Sequence, residues 1–456
     1  MKKFCLSVIL ALAMTMSLTG CSQTPKQEPA KTGDTMSGVF TGTSTGMQGP
    51  VSVQLTVEEG KITKAEVTEC HETAGLSDVA LERIPAQIVE HQTFDLDTVT
   101  GATLCSNALM RAAEDAATNA GMDLSALKAN AYHAAAGEAE TLSADVVVVG
   151  GGGAGLSASI AAAQEGSKVI LIEKSSFLGG DTMMAGGAFN AVDPEAQAER
   201  VLSEAQKNTL DSYLALSTTD ADLHLDQFPE WAEVLTTLQS DIQAFYKANA
   251  GKTAGKDMPG FDSISLHMWH IYTGGLRQMN DGRWIASDLD LARTLAESAL
   301  NSYDWAGSIG VGTASHAGAG DSLYTVLGAM WPRTHAYTAG LSLIQVLQSA
   351  AEKEGVTIYT ETAAKSLIVD DNGRVTGVKA EKADGTEVTL EAGHGVVLAS
   401  GGYCANPAMV KQYDEYWGDD LTDRTLTTNV GTNTGDGIVM AKEVGAALIG
   451  MGQIQL

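Results

Sequence analysis

Apolar and polar residues alternate along VSVQLTV, Val51–Val57, and again along KITKAEV, Lys61–Val67. A period of two marks a strand with one buried face, and Glu58–Gly60 between the runs supplies a hairpin turn. The period then lengthens. LERIPAQIVEH, Leu81–His91, reads as a helix. A second helix is predicted from about Leu104 to Asn119, where Ala108, Leu109, Ala112, Ala113, Ala116 and Ala117 recur at helical spacing before Gly121. Between these helices lies DTVTGATLCSN, Asp97–Asn107, small, polar and interrupted by Gly101. On residue types alone it is a turn that starts a helix, with Thr103 or Ser106 as the N-cap. Residues 123–142 read as a linker with some helical tendency, in which His133 is a solvated side chain.

From Ala144 the pattern changes to ADVVVVGGGGAGLSASIAAAQEGSKVILIEK. A continuous apolar run, glycines, an alanine-rich helix and a second apolar run form a βαβ unit. Gly150, Gly152 and Gly155 complete G-x-G-x-x-G, and Glu173 stands 18 residues beyond Gly155. In that context the glycines let a pyrophosphate approach the helix N-terminus, and the acid accepts from a ribose hydroxyl. The fold class expected is α/β, with a Rossmann-like dinucleotide-binding domain over 143–456 behind a small α+β domain over 36–122.

Composition narrows the function. The 456 residues carry 28 Lys+Arg against 56 Asp+Glu, a formal net charge of −28, which argues against nucleic acid as a partner. The 49 glycines suit an enzyme with many tight βα turns. At the N-terminus, two lysines precede an apolar run from Phe4 to Met16, too short to span a membrane and typical of a signal peptide. Cys70, Cys105 and Cys404 stand isolated, so no disulfide framework and no C-x-x-C-H haem motif is expected. No metal is expected either. Glu69–Glu72 is extended, so neighbours point to opposite faces. His267 and His270 share a helical spacing but have no acidic helper, and are read as packed or surface histidines.

Several of these strings resemble known families. LTGC, Leu18–Cys21, resembles a bacterial lipobox, which implies a lipoprotein signal over 1–21 and acylation of Cys21. Residues 22–35 would be the tether holding the chain to the extracytoplasmic face of the cell membrane. SGVFTGTSTG at 37–46, the EEGKI hairpin, HET at 71–73 and DTVTGAT at 97–103 resemble the FMN-binding domains of sodium-pumping NADH–quinone oxidoreductases, their Rnf relatives and extracellular flavin reductases. The resemblance implies that an FMN transferase esterifies FMN to the hydroxyl of Thr103. A phosphate ester there would meet free N–H groups and the positive end of the helix dipole.

KSSFLGGDTMMAGGAFNA at 174–191, VVLASGGY at 396–403 and NVGTNTGDGIVMAKEVGAALIGMGQIQ at 429–455 resemble the flavoproteins of the fumarate reductase, succinate dehydrogenase and flavocytochrome c type, most of all the fumarate and urocanate reductase branch. The resemblance implies non-covalent FAD, with contacts at Ala154, Glu173, Lys174, Gly180, Asp181, Thr182, Gly187, Ala364, Ser400, Gly401 and Asp436, besides the three fingerprint glycines. Asp181 replaces the family's usual Asn. Arg333 and His335 form the recurrent RxH, read either as facing the active site or as a structural ion pair.

GMGQIQL, the last stretch, resembles the segment that leads into the family's substrate-gripping histidine. That histidine, the capping domain and the proton-donating arginine would follow Leu456, so no catalytic residue is assigned and the domain is expected to be incomplete. The resemblance implies a reductase that takes electrons from a membrane donor, through FMN and FAD, to the C=C bond of a small unsaturated carboxylate such as fumarate or urocanate. A lipid-anchored two-flavin relay without a substrate of its own is the alternative.

Overall fold

The protein was analysed as a computed structural model that describes residues 36–312, 323–326, 329–336, 338–422 and 424–454. Cys21, the signal region and the tether lie outside the described residues. Among the described residues no helix is long and apolar enough to cross a membrane.

The first domain is a three-stranded antiparallel sheet, β1 (Gly38–Thr45), β2 (Pro50–Glu58) and β3 (Lys61–Glu69), in that order, covered by α1 (Asp78–His91) and α2 (Thr103–Asn119). Alternation in β2 buries Val51, Val53, Leu55 and Val57. The small face of α2, with Ala108, Ala112, Ala113, Ala116 and Ala117 fully or nearly fully buried, allows a very close approach. A Cβ at Gly42 of β1 would stand 2.1 Å from the backbone nitrogen of Ala116, so β1 and α2 meet backbone to backbone.

Residues 123–142 are more structured than a linker. Helix α3 (Leu124–Lys128) is capped by Asp123 and buries Leu127 in the first core. Tyr132 bridges to Leu96 and stacks on His91 at 3.5 Å. His133 is exposed but not merely solvated: its Nδ1 lies 2.7 Å from Asp97 Oδ1, and that carboxylate raises the imidazole pKa.

The second domain is built on a six-stranded sheet. Its strands are β4 (Glu140–Val149), β5 (Val169–Ile172), β6 (Thr357–Tyr359), β7 (Thr362–Val369), β8 (Val375–Lys382) and β9 (Glu387–Leu398), in the spatial order β6-β5-β4-β9-β8-β7. The β6-β5-β4-β9 half is parallel and the β9-β8-β7 half antiparallel. Alternate residues serve opposite cores. Val148, Val169 and Leu171 pack under α4 (Gly153–Gln164), α5 (Gly340–Lys353) and their neighbours. Val147, Val149, Ile170 and Ile172 face the β8–β9 side. A separate helical core gathers Trp231, Leu235, Trp269 and Tyr272.

Candidate functional site

The parallel half of the sheet ends in a cleft at the carboxyl edge of β4, β5 and β9. In open α/β sheets, ligands bind at that edge. Gly150, Gly152, Ala154, Glu173, Lys174, Gly180, Asp181, Thr182, Ala364, Ser400, Gly401 and Asp436 all line it. Twelve positions from distant parts of the chain thus converge on one cleft. Gly155 and Gly187 do not line it. Gly155 packs instead: a Cβ there would stand 1.8 Å from the Gly150 carbonyl oxygen, so its absence seats α4 on the strand end. Gly187 is buried, in a turn with φ +74°, before the short strand Ala188–Asn190.

The cleft is polar at fixed points. Glu173 accepts the Gly151 N–H through Oε2 and the Ser175 N–H through Oε1, both at 2.8 Å. Helix α4 has Gly152 at its N-cap and no side chain capping it, and Gly153 N–H points to Thr182 Oγ1 at 3.3 Å. Lys174 Nζ donates to Thr434 Oγ1 at 2.7 Å and to Asp436 Oδ2 at 2.6 Å. Burial raises the pKa of Asp436, but Lys174 and Thr434 hold it below the ordinary value.

Asp181 is tied to the 430–433 turn. One carboxylate oxygen accepts the Val430 N–H at 2.7 Å and the other accepts from Asn433 Nδ2. The site uses both oxygens as acceptors, which a carboxylate provides and a carboxamide does not. Asn433 was not singled out by sequence reasoning, although it lies inside the NVGTNTGDG string. It is 6% exposed, lines the cleft, and its buried Oδ1 has no partner. An orphan buried acceptor and an uncapped helix N-terminus both suit a large polar ligand such as a dinucleotide.

The RxH residues lie elsewhere. Arg333 and His335 are buried; Arg333 forms an ion pair with Asp262, and His335 Nε2 lies 3.2 Å from Asp193 Oδ2. His267 and His270 share the helix Ile264–Gly275, and burial, aided by the Arg333 charge, lowers both to about 3.

At the Thr103 turn the structure revises the cap. Ala102 is the N-cap, no side chain caps α2, and Thr103 is its first residue, exposed. Ser106 sits inside the first turn, where its hydroxyl accepts the Val99 N–H and donates to the Ala102 carbonyl. Gly101 makes the turn with φ +87°. An open hydroxyl at an uncapped helix start suits a phosphate ester.

Comparison with known proteins agrees with this division. An FAD binding domain model matches residues 145–456, and an FMN-binding domain model matches 46–118. The chain belongs to the flavoprotein family of the fumarate and urocanate reductases. It is 36% identical over 424 residues to an NADH:acrylate oxidoreductase of Vibrio harveyi, covering 92% of this chain and 40% of the relative. It is 27% identical over 456 residues to a urocanate reductase of Eggerthella lenta, covering 98% and 62%. A probable fumarate reductase of Shewanella frigidimarina is 27% identical over 325 residues, covering 70% and 42%. The chain thus spans about two fifths to three fifths of these relatives' length. Within the family, its two cofactors are FAD and FMN.

Proposed function

We propose that this flavoprotein passes electrons from a membrane donor, by way of FMN esterified to Thr103 and then FAD, to the C=C bond of a small unsaturated carboxylate of the acrylate, urocanate or fumarate kind. The observation that carries the reading is the junction of the two domains. The Thr100 carbonyl of the acceptor turn accepts the Ser176 N–H at 3.0 Å, and Ser176 follows closely on Glu173, whose carboxylate faces the dinucleotide cleft. The names of the relatives support the substrate class.

FAD supplies hydride transfer when bound, and FMN supplies single-electron relay. The chain's own residues do the holding. The fingerprint glycines 150, 152 and 155, with Ala154, shape the diphosphate end. Glu173 would hold the ribose and Ala364 would face the adenine, with Lys174 and Asp436 also lining the cleft. Gly180, Asp181, Thr182, Ser400 and Gly401 would shape the rest. Acylation of Cys21 would place the protein on the extracytoplasmic face of the membrane, where an FMN transferase and the donor would meet it.

The test is the intact mass of protein co-expressed with an FMN transferase. An adduct of FMN less water, lost in Thr103→Val, is the expected result. No adduct in the parent protein would overturn the attachment. Viologen-linked turnover of acrylate, urocanate and fumarate by the product of the full-length gene then tests the substrate class, and reduction of none of them sinks it.

A further inference from the structure

Four residues in the described chain other than glycine have positive φ: Glu59, Gln92, His224 and Glu361. Glu361, at φ +51°, lies between β6 and β7. A left-handed residue there would be cheaper as glycine or asparagine. Such strain is kept where the side chain has a task.

Its side chain reaches across the domain junction. Arg83 of α1 donates Nη1 and Nη2 to the two oxygens of Glu361, each at 2.8 Å. Bidentate charge-assisted pairs fix geometry as well as energy. The backbone of Glu361 is fastened to the other flavin site. Its N–H donates to the Ser175 carbonyl at 2.8 Å, and the next residue, Thr362, donates to the Glu173 carbonyl at 2.8 Å. Ser176 in turn donates to Thr100 in the acceptor turn. Beside this polar seam the surfaces touch closely: a Cβ on Gly101 would stand 2.7 Å from the Phe177 ring, and one on Gly75 2.8 Å from Leu341.

We propose that Arg83 and Glu361 are positioning residues, a latch that seats the Thr103 turn on the Glu173–Phe177 loop and thereby sets the path for electron passage between the two flavins. The positioning role rests on the two-flavin reading, whereas the docking itself does not. Neither residue lines the dinucleotide cleft; both act through the loop that joins the sites. Glu361→Gly is the informative variant, because it removes the carboxylate while relieving the backbone. Arg83→Met removes the charge and keeps the length of the stem. Arg83→Glu with Glu361→Lys restores an opposite-charge pair.

The first measurement is hydrogen exchange of the apoprotein, which needs no flavin. The Ser176 amide should exchange about tenfold faster in Glu361→Gly and in Arg83→Met, as expected for loss of a charge-assisted hydrogen-bonded pair, and the swap should recover part of the protection. Amides of β4 should not change. Parent-like exchange at Ser176 in both single variants overturns the latch. The second measurement is stopped-flow oxidation of reduced FMN by FAD within the doubly loaded protein. It should slow about tenfold in each single variant at unchanged FMN and FAD content, with part of the rate returning in the swap. Faster exchange with a parent-like transfer rate overturns the positioning role. Absence of the FMN adduct by mass would instead count against the two-flavin reading, and the exchange measurement would still decide the docking.

Discussion

Arg333 donates Nε and Nη2 to the two oxygens of Asp262, at 3.1 and 2.8 Å, with both side chains almost wholly buried. This pair anchors the 329–336 segment to the helical core, where Trp331 Nε1 also donates to the Phe261 carbonyl. Removing one partner leaves an uncompensated buried charge, which costs about 3–5 kcal/mol. Asp262→Ala should therefore lower the unfolding free energy by about that amount in urea titrations, with FAD affinity per folded molecule preserved. Parent-like stability would refute the structural role given to the RxH arginine.

The two histidines of the same cluster weaken the fold in acid, whereas burial raises the Asp262 carboxyl to about 6 and acts in the opposite direction. His270 Nδ1 lies 3.3 Å from Arg333 Nη2, and its Nε2 lies 3.1 Å from Tyr213 Oη. Arg333 can only donate, so Nδ1 is the acceptor and Nε2 carries the proton. Burial first, and then the Arg333 charge, lowers His267 and His270 from 6.5 to about 3. The unfolded chain binds these protons at higher pH than the folded one, so stability falls as pH drops below about 6.5. At pH 5 the loss is about 2 kcal/mol per histidine. His267, whose Nδ1 is buried without a partner, is the safer one to replace. His267→Leu should flatten the pH slope of the urea midpoint between pH 7 and 5; an unchanged slope would count against a neutral buried His267.

How much of this was legible follows from which physical signal each element carries. The β2–β3 hairpin and the βαβ unit announce themselves by alternation and by apolar runs joined through glycines. Strand β1 does not. Its GVFTGTST sequence has one face turned to solvent, and only Gly42 is buried. The helix Ile264–Gly275 is buried on nearly every side, so it has no polar stripe to reveal its period. The cleft residues could be placed through family resemblance, but the role of each depends on packing. Gly155 lies behind the cleft because its neighbour is a carbonyl oxygen, and Asn433 lies in it because a turn folds it against Asp181. The Arg83–Glu361 pair joins residues 278 positions apart, and no local pattern could have joined them.

Burial also sets cysteine reactivity. Desolvation pushes the Cys105 thiol up to about 11, whereas Cys404 is exposed. The thiolate is the reacting species, so Cys105 should resist iodoacetamide at pH 8 in the folded protein and react only in urea. Peptide mapping should find Cys404 alkylated first. Fast native labelling of Cys105 would show that the first turn of α2 opens readily.

Gly155 offers a test of helix seating that no charge change confuses. Its missing Cβ is what lets α4 lie against the Gly150 carbonyl. Gly155→Ala must push the helix away, at about 1–3 kcal/mol for overpacking, and should lower FAD content as purified. Gly307, near the end of the helix Leu289–Ser308, has open space where a Cβ would go, and Gly307→Ala should leave FAD content unchanged. Equal FAD content in Gly155→Ala and the parent would reject the packing role.

Glu173 links cleft geometry most directly to cofactor choice. Its two oxygens each accept a backbone N–H, from Gly151 and from Ser175, so the carboxylate holds the glycine turn in shape before any ribose arrives. Glu173→Gln keeps one acceptor and turns an NH2 toward the other N–H. Leaving such a donor unsatisfied costs about 1–3 kcal/mol. The variant should lose about five- to 150-fold in FAD affinity, measured by flavin fluorescence quenching on titration of the apoprotein. Glu173→Asp keeps the charge but is one methylene short, and should fail to reach both amides at once. Because the Ser175 N–H is the next link toward Ser176 and Thr100, the same substitutions should also loosen the acceptor turn in hydrogen exchange. Parent-like FAD affinity in Glu173→Gln would mean that the charge and the paired acceptors of this residue are dispensable for cofactor binding.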